Sequence, residues 1–210
     1  ALISRARENF SQLGDMSTLL RVTELLHVAQ DPQKVCDLIV QLATRLVKAH
    51  GAGVFLADEG QQSLSLAAGG DRSLGTVQVA FGAGVAGWVA LEGQAVNANV
   101  VTDPRFAGQM APVFGFRAEF VAAVPIRYGQ RFSGVLEVAN KAGGSAFNQA
   151  DLSLLAVLAR EAGIALERLQ QARQDQRTIM ELLRGLARFV DAKAPHLAGH
   201  SERVAKIAQT

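Results

Sequence analysis

A carboxylate within an apolar segment is the first group in this sequence that could do chemistry. Glu137 stands in GVLEVANK, residues 134–141, where its neighbours are mostly aliphatic. An ionised carboxylate in a central strand is costly unless it is paired or hydrogen-bonded. Arg105 or Arg117 could neutralise it and could also clamp an anion, or a ligand N–H could take their place. If a ligand binds to the chain, Glu137 is therefore expected to contact it.

Two histidines near the C-terminus have a spacing that suits metal binding. His196 and His200 are four residues apart, so on a helix both rings could face the same site. In the alternative, His200 only caps or decorates a helix. The lone cysteine, Cys36, allows no internal disulfide and is expected to be a small buried apolar residue.

Two helices are predicted before the segment that holds Glu137. Apolar residues repeat at 3,4 spacing over residues 14–30. Asp31 and Pro32 end this helix and begin the next, because aspartate caps free N–H groups and proline suits a first helical turn. The second helix is expected to end near Gly51.

Six short strands are predicted in the middle of the chain. They cover residues 53–58, 63–68, 76–81, 94–99, 120–128 and 132–140. Hairpin-linked strands indicate an α+β fold, a six-stranded antiparallel sheet with helices packed on one face. A short helix over 82–92 and a loop over 102–117 must then cover the other face, where they would be the walls of a pocket.

A long helix is predicted from Gln149 to Val190. Its apolar residues Leu152, Leu155, Ala159, Ala162, Leu166 and Leu169 follow 3,4,3,4,3 spacing. The first half could simply pack on the sheet. Beyond Arg168 no sheet is expected to cover Leu169, Met180 or Leu183, which predicts a parallel homodimer held by the N-terminal helix and this one.

Five separated motifs resemble the GAF domain, a sensor module of cyclic-nucleotide phosphodiesterases and many bacterial signalling proteins. They are GVFLAD (53–58), FGAGVAGWVALEGQAV (81–96), TDPRF (102–106), FGFRAEFVAAVPI (114–126) and GVLEVANK (134–141). The resemblance covers about residues 15–170. It implies a GAF-like sheet flanked by long N- and C-terminal helices.

A further set of residues resembles the NKFD signature of cyclic-nucleotide-binding GAF domains. The set is Asn140, Lys141, Phe147 and Asp151. Its expected role is structural: Lys141 and Asp151 could pair and tie the last strand to the long helix, while Phe147 fills the gap below. The acidic residue that often follows the aspartate is Leu152 here.

The resemblance also places a ligand pocket. The expected ligand-binding residues are Val85, Ala86, Arg105, Phe106, Phe114, Arg117, Ala118 and Glu137. They would hold a small molecule or a cyclic nucleotide, or the phenylalanines would simply fill the space. Between Gly51 and Pro195 there is neither histidine nor cysteine, which makes histidine-held haem and a cysteine-linked bilin unexpected there.

The C-terminal segment FVDAKAPHLAGHSERVAKIA, residues 189–208, resembles the opening of HD-GYP domains, which hydrolyse cyclic di-GMP at a metal centre. The resemblance implies that His200 is the first metal ligand, with His196 beside it, and that the intact domain holds iron or manganese. The His-Asp pair and the GYP motif are missing from this sequence. No enzymatic activity and no cofactor are therefore expected for this chain.

These expectations combine into one hypothesis. The chain would be a fragment comprising an N-terminal helical segment (1–30), a GAF sensor domain (31–170), a signalling helix (171–190) and the start of a truncated HD-GYP domain (191–210). It would be the regulatory, dimerising part of a bacterial cyclic di-GMP phosphodiesterase. The alternative is a ligand-free dimerisation module. The single cysteine favours a cytoplasmic protein. The mixed charges on the C-terminal helix do not suit nucleic-acid binding, and no apolar run is long enough to span a membrane.

Overall fold

The computed structural model describes residues 26, 28–58, 60–71, 73, 75–107 and 113–193. Most of the first predicted helix lies outside these residues, and so do His196 and His200. The described part divides into two compact units, which meet at Glu167 and Arg168 along the chain.

The elements follow the predicted order. They are α1 (Pro32–Leu46), β1 (Ala49–Asp58), β2 (Ser63–Gly69), β3 (Gln78–Ala80), α2 (Gly84–Glu92), β4 (Val96–Asn99), β5 (Phe120–Tyr128), β6 (Arg131–Lys141) and α3 (Gln149–Lys193). The strands make one sheet in the order β3-β2-β1-β6-β5-β4, and every neighbouring pair is antiparallel. The predicted α+β fold with a six-stranded antiparallel sheet is confirmed.

Helix α1 begins as predicted and ends earlier. The Asp31 carboxylate accepts a hydrogen bond from the Gln33 N–H at 3.0 Å, and Pro32 occupies the first turn. The predicted end near Gly51 is wrong, because Lys48 takes a left-handed φ of 53° and β1 begins at Ala49. Ala49 and Gly51 pair with Lys141 and Ala139 of β6, so these residues belong to the sheet.

Cys36 on α1 should resist alkylation in the native chain. Its side chain is buried, and burial raises the pKa of the thiol to about 12, with the nearby carboxylates of Asp37 and Asp31 adding to the shift. The thiolate is the reacting form. Iodoacetamide at about pH 8 should therefore label the chain in denaturant and leave the native chain unlabelled over the same interval, as mass spectrometry would show. Equal labelling rates in the two states would contradict the buried position.

The two faces of the sheet have different covers. Val135 and Ala139 of β6 belong to a buried cluster that α2 completes with Val85 and Val89. Side chains alternate between faces along a strand, so Glu137 points to the α2 face. Helix α1 packs on β1, β2 and β6, and its buried residues stand outside this cluster, which places α1 on the opposite face.

Helix α3 contacts the sheet through its first half. Leu155, Leu158, Ala159 and Ala162 are buried there. At Gly163 the helix comes so close to β5 that an added Cβ would lie 2.3 Å from the Arg127 carbonyl oxygen. The small residues Ala159, Ala162 and Gly163 on this part of α3 therefore permit a close helix–strand contact.

The second unit, from Arg168 onward, is helical as far as Lys193. Leu169 is buried, so its expected exposure was wrong. Five other apolar side chains of this unit are more than half exposed: Ile179, Leu182, Leu183, Leu186 and Phe189. No helix in the described part of the chain has both the length and the apolar composition that crossing a membrane requires.

A candidate ligand cavity at Glu137

Glu137 lies at the centre of the sheet with small residues on both sides. It is directly opposite Gly53 of β1 and Ala123 of β5, and it is 2% exposed. Directly opposed residues point to the same face of an antiparallel sheet. At Gly53 the Leu66 and Phe55 side chains take the space that a Cβ would fill, so they pack beside the carboxylate.

The Glu137 carboxylate is held by the first turn of α2. The Ala86 backbone N–H donates to it. Burial raises the pKa of this carboxyl to about 7, and the Ala86 hydrogen bond offsets part of that effect. No ion pair of the described residues includes Glu137. The group thus changes charge near neutral pH.

The position of α2 depends on glycine. An added Cβ at Gly87 would stand 2.3 Å from the Ala80 carbonyl oxygen, so only glycine permits the close approach of α2 to β3. Ala83 offers no side-chain cap, which leaves the first N–H groups of α2 to other acceptors. Glu137 supplies one such acceptor at the positive end of the helix.

A cavity of about 130 Å³ lies beside the Glu137 carboxylate. Its lining residues are Phe55, Gln78, Val79, Ala80, Ala83, Gly84, Val85, Ala86, Val113 and Glu137. Gln78, Ala80 and Ala83 are exposed, so the cavity is reached from the β3 edge of the sheet. The arrangement is an apolar recess with a carboxylate in its wall.

Three of the expected ligand-binding residues line this cavity: Val85, Ala86 and Glu137. The other lining residues were missed. Phe55 could have been found from strand alternation, because it lies opposite Val135 and so shares the Glu137 face. Gln78 and Val113 carried no such signal, since their approach to Glu137 depends on how α2 and the loop before β5 fold over the sheet.

The two arginines are not brought to Glu137. Arg105 donates to Asp103 through Nε at 3.0 Å and Nη2 at 2.7 Å. Its guanidinium also lies over the ring of Trp88 at 5.1 Å. The Arg117 side chain is exposed. Of the two alternatives for Glu137, neutralisation by an arginine is not observed, because Asp103 binds the Arg105 guanidinium locally; a ligand N–H stays a prediction.

The expected phenylalanines pack beside the cavity. Phe106 makes an edge contact with Trp88 at a centroid distance of 6.2 Å, and Phe114 stacks on Phe116 at 5.5 Å. Ala118 is partly buried against the same core. These residues do not line the cavity, and they leave it open.

The NKFD-like residues bind protein groups. Asn140 accepts from the Glu119 N–H at 2.8 Å and donates to the Arg117 carbonyl at 2.8 Å. Lys141 Nζ donates to Asp151 Oδ2 at 2.5 Å, so the expected ion pair is present.

The same carboxylate also caps α3. Asp151 Oδ2 accepts from the Asn148 N–H at 2.8 Å, while the Asp151 N–H donates to Asn148 Oδ1 at 2.9 Å. This reciprocal pair is a capping box. Phe147 is buried, and its carbonyl accepts from Asn97 Nδ2 at 2.6 Å. The four residues therefore fasten the end of β6 to the start of α3.

Within the described residues, no group of three or more histidine, cysteine, aspartate or glutamate side chains could hold a metal ion. The expected metal ligands, His196 and His200, lie outside those residues.

Known proteins share this fold and parts of this sequence. A segment of 118 residues is 31% identical to the dual 3',5'-cyclic-AMP and -GMP phosphodiesterase 11 of Drosophila melanogaster. It covers 54% of this chain, which spans 8% of the length of the fly enzyme.

Two solved structures are similar over most of their length. The GAF domain of an Acinetobacter phosphoenolpyruvate-protein phosphotransferase is 23% identical with a TM-score of 0.64, covering 75% of this chain and 95% of its own. Residues 122 to 287 of a methyl-accepting chemotaxis protein are 18% identical with a TM-score of 0.62, covering 72% and 98%. The GAF domain family model matches residues 31–166, and the chain therefore belongs to the GAF domain family.

Proposed function

We propose that this GAF domain is the sensor and dimerisation region of a bacterial, cytoplasmic cyclic di-GMP phosphodiesterase. A small molecule or a partner bound at the domain would change the packing of α3 in a dimer, and α3 would pass that change to an HD-GYP output domain. Iron or manganese would be held in that output domain. The exposed apolar stripe on α3 is the observation that carries the proposal.

The stripe has the spacing of a helix–helix contact. Ile179, Leu182, Leu183 and Leu186 lie on one side of α3 and are each at least 55% exposed. Burying such side chains is worth about 1.5–3 kcal/mol each. The same stripe on a second copy is a matching apolar surface, and a parallel pair would keep both output domains at the same end.

Charged substitutions in the stripe should separate the copies. In the variant Leu183→Glu with Leu186→Glu, carboxylates would face each other at the contact, so a dimer of the native chain should become a monomer at micromolar concentration. Light scattering reads the mass directly. Val157→Glu is the matched control, because Val157 is also exposed on α3 but belongs to the first unit. Leu169 is unsuitable, since it is buried within the single chain.

Two outcomes would contradict the dimer. One is a monomeric native chain, and the other is a dimer that survives the double substitution. The output domain is tested separately: the 210-residue chain should not hydrolyse cyclic di-GMP with iron or manganese present. Metal-dependent cleavage by this chain would refute the assignment of His200 to an incomplete centre.

The match within an insect phosphodiesterase supports regulation of a phosphodiesterase, although the shared segment is a small part of that enzyme. The second candidate function is a ligand-free dimerisation module. It requires that the phenylalanines fill the pocket, whereas a cavity remains beside Glu137. Native mass spectrometry of the purified chain separates the two functions, because a co-purified small molecule belongs only to the sensor.

A further inference from the structure

We propose that the Glu137 cavity binds a compact nitrogen base, about the size of benzene, whose N–H group donates to the Glu137 carboxylate, and that it rejects nucleotides and other anions. This inference rests on the proposed sensor function, for which it names the class of ligand.

The volume of the Glu137 cavity favours a compact ligand. The cavity measures about 130 Å³. A protein cavity of about 150 Å³ holds one benzene molecule. A cyclic nucleotide carries a purine, a ribose and a phosphate, and is several times larger. Only part of such a molecule would fit inside the cavity, because Gly87 keeps α2 in contact with β3.

The charge of the residues that line the cavity disfavours an anionic ligand. Among the described residues that line the cavity there is no lysine, arginine or histidine. An anion would therefore meet the Glu137 carboxylate in a setting of low dielectric, where like charges repel strongly. The positive end of α2 is already used, because the Ala86 N–H donates to Glu137. Arg105, the expected anion clamp, is bound to Asp103.

The wall of the cavity combines one carboxylate with several apolar side chains. A carboxylate buried among apolar side chains gains most from a donor that also carries positive charge, since such hydrogen bonds are about twice as strong as neutral ones. Phe55, Val79, Val85 and Val113 would contact the apolar body of the ligand. An amine, an amidine or an N–H heterocycle with a small apolar body fits both requirements.

Four probes of graded chemistry test the proposal in the native 210-residue chain. They are benzylamine, toluene, benzoate and cyclic GMP, titrated against the backbone amide resonances of Val85, Ala86 and Val113. Benzylamine should bind saturably, and the Glu137→Gln variant should bind it about tenfold more weakly or worse, as expected for losing a charge-assisted hydrogen bond. Ala83→Trp is a second variant at the exposed mouth, where a large ring should block entry without touching the core.

The outcomes are distinct. Benzylamine binding that is lost in both variants supports the proposal. It is overturned if toluene binds as well as benzylamine, if benzoate or cyclic GMP binds at these amides, or if no probe binds. Light scattering on the same samples reports the α3 dimer independently, so an empty cavity in an intact dimer refutes only this inference.

Discussion

The Glu137→Gln variant should unfold at a higher urea concentration than the native chain at pH 8, and the difference should shrink to about a quarter at pH 5. Burial raises the pKa of Glu137 from an ordinary value of 4.5 to about 7. Below pH 4.5 the carboxyl is protonated in both folded and unfolded chains, and its contribution to stability is fully present. Between pH 4.5 and 7 the unfolded chain releases this proton while the folded chain keeps it, so the contribution is lost progressively and is gone once the folded group also ionises above pH 7.

The size of the effect follows from the shift. A difference of this size between the folded and unfolded pKa corresponds to a loss of about 3 kcal/mol by pH 8. Glutamine has nearly the same shape and never ionises, so the variant should not lose stability over this range. Urea unfolding at four pH values between 5 and 8 measures the difference.

Glu92→Gln is the matched control, because Glu92 is an exposed carboxylate on the same helix, α2. The free energy of unfolding of Glu92→Gln should depend on pH in the same way as that of the native chain. If the stability of Glu137→Gln had the same pH dependence as that of the native chain, Glu137 would have to be paired and ionised in the folded state. The cavity would then have no free carboxylate for a ligand.

Gly163→Ala should destabilise the chain by about 2–4 kcal/mol. The added methyl group would lie 2.3 Å from the Arg127 carbonyl oxygen, which is backbone and cannot rotate away. Helix α3 would have to move off β5, loosening the buried contacts of Leu158 and Ala159.

Gly185→Ala on the same helix should instead stabilise the folded chain. Nothing lies within 4 Å of the added Cβ there, and alanine is favoured over glycine in a helix by about 0.5–1 kcal/mol. Urea unfolding of both variants gives the comparison. Equal effects at the two positions would show that helix propensity alone matters and that the close contact at Gly163 costs nothing.

Much of the fold could be predicted because it depends on local patterns. Phe120–Tyr128 was bounded correctly, since an apolar run stops at a glycine turn. Asp31 and Pro32 marked the start of α1 for equally local reasons. The end of α1 was misplaced because the left-handed turn at Lys48 serves the pairing of β1 with β6, which are distant in the sequence.

The site was less predictable, because it is assembled from distant contacts. Glu137 could be found as a charged residue in an apolar strand. Arg105 forms an ion pair with Asp103, two residues away in the sequence. The TDPRF motif alone gave no reason to expect this ion pair rather than a contact between Arg105 and a ligand. The cavity itself depends on the close fit of Gly87 against β3, a contact between segments that the sequence pattern does not show.

The strand order has a consequence for solubility. The two edges of the sheet are its two shortest strands, β3 with three residues and β4 with four. Long bare edges invite strands of neighbouring molecules to add on and aggregate. Here each edge offers few free backbone groups, and β4 carries asparagines at Asn97 and Asn99. Growth of fibres by strand addition at these edges is therefore disfavoured. Association of two copies through helical surfaces would not carry this risk of aggregation.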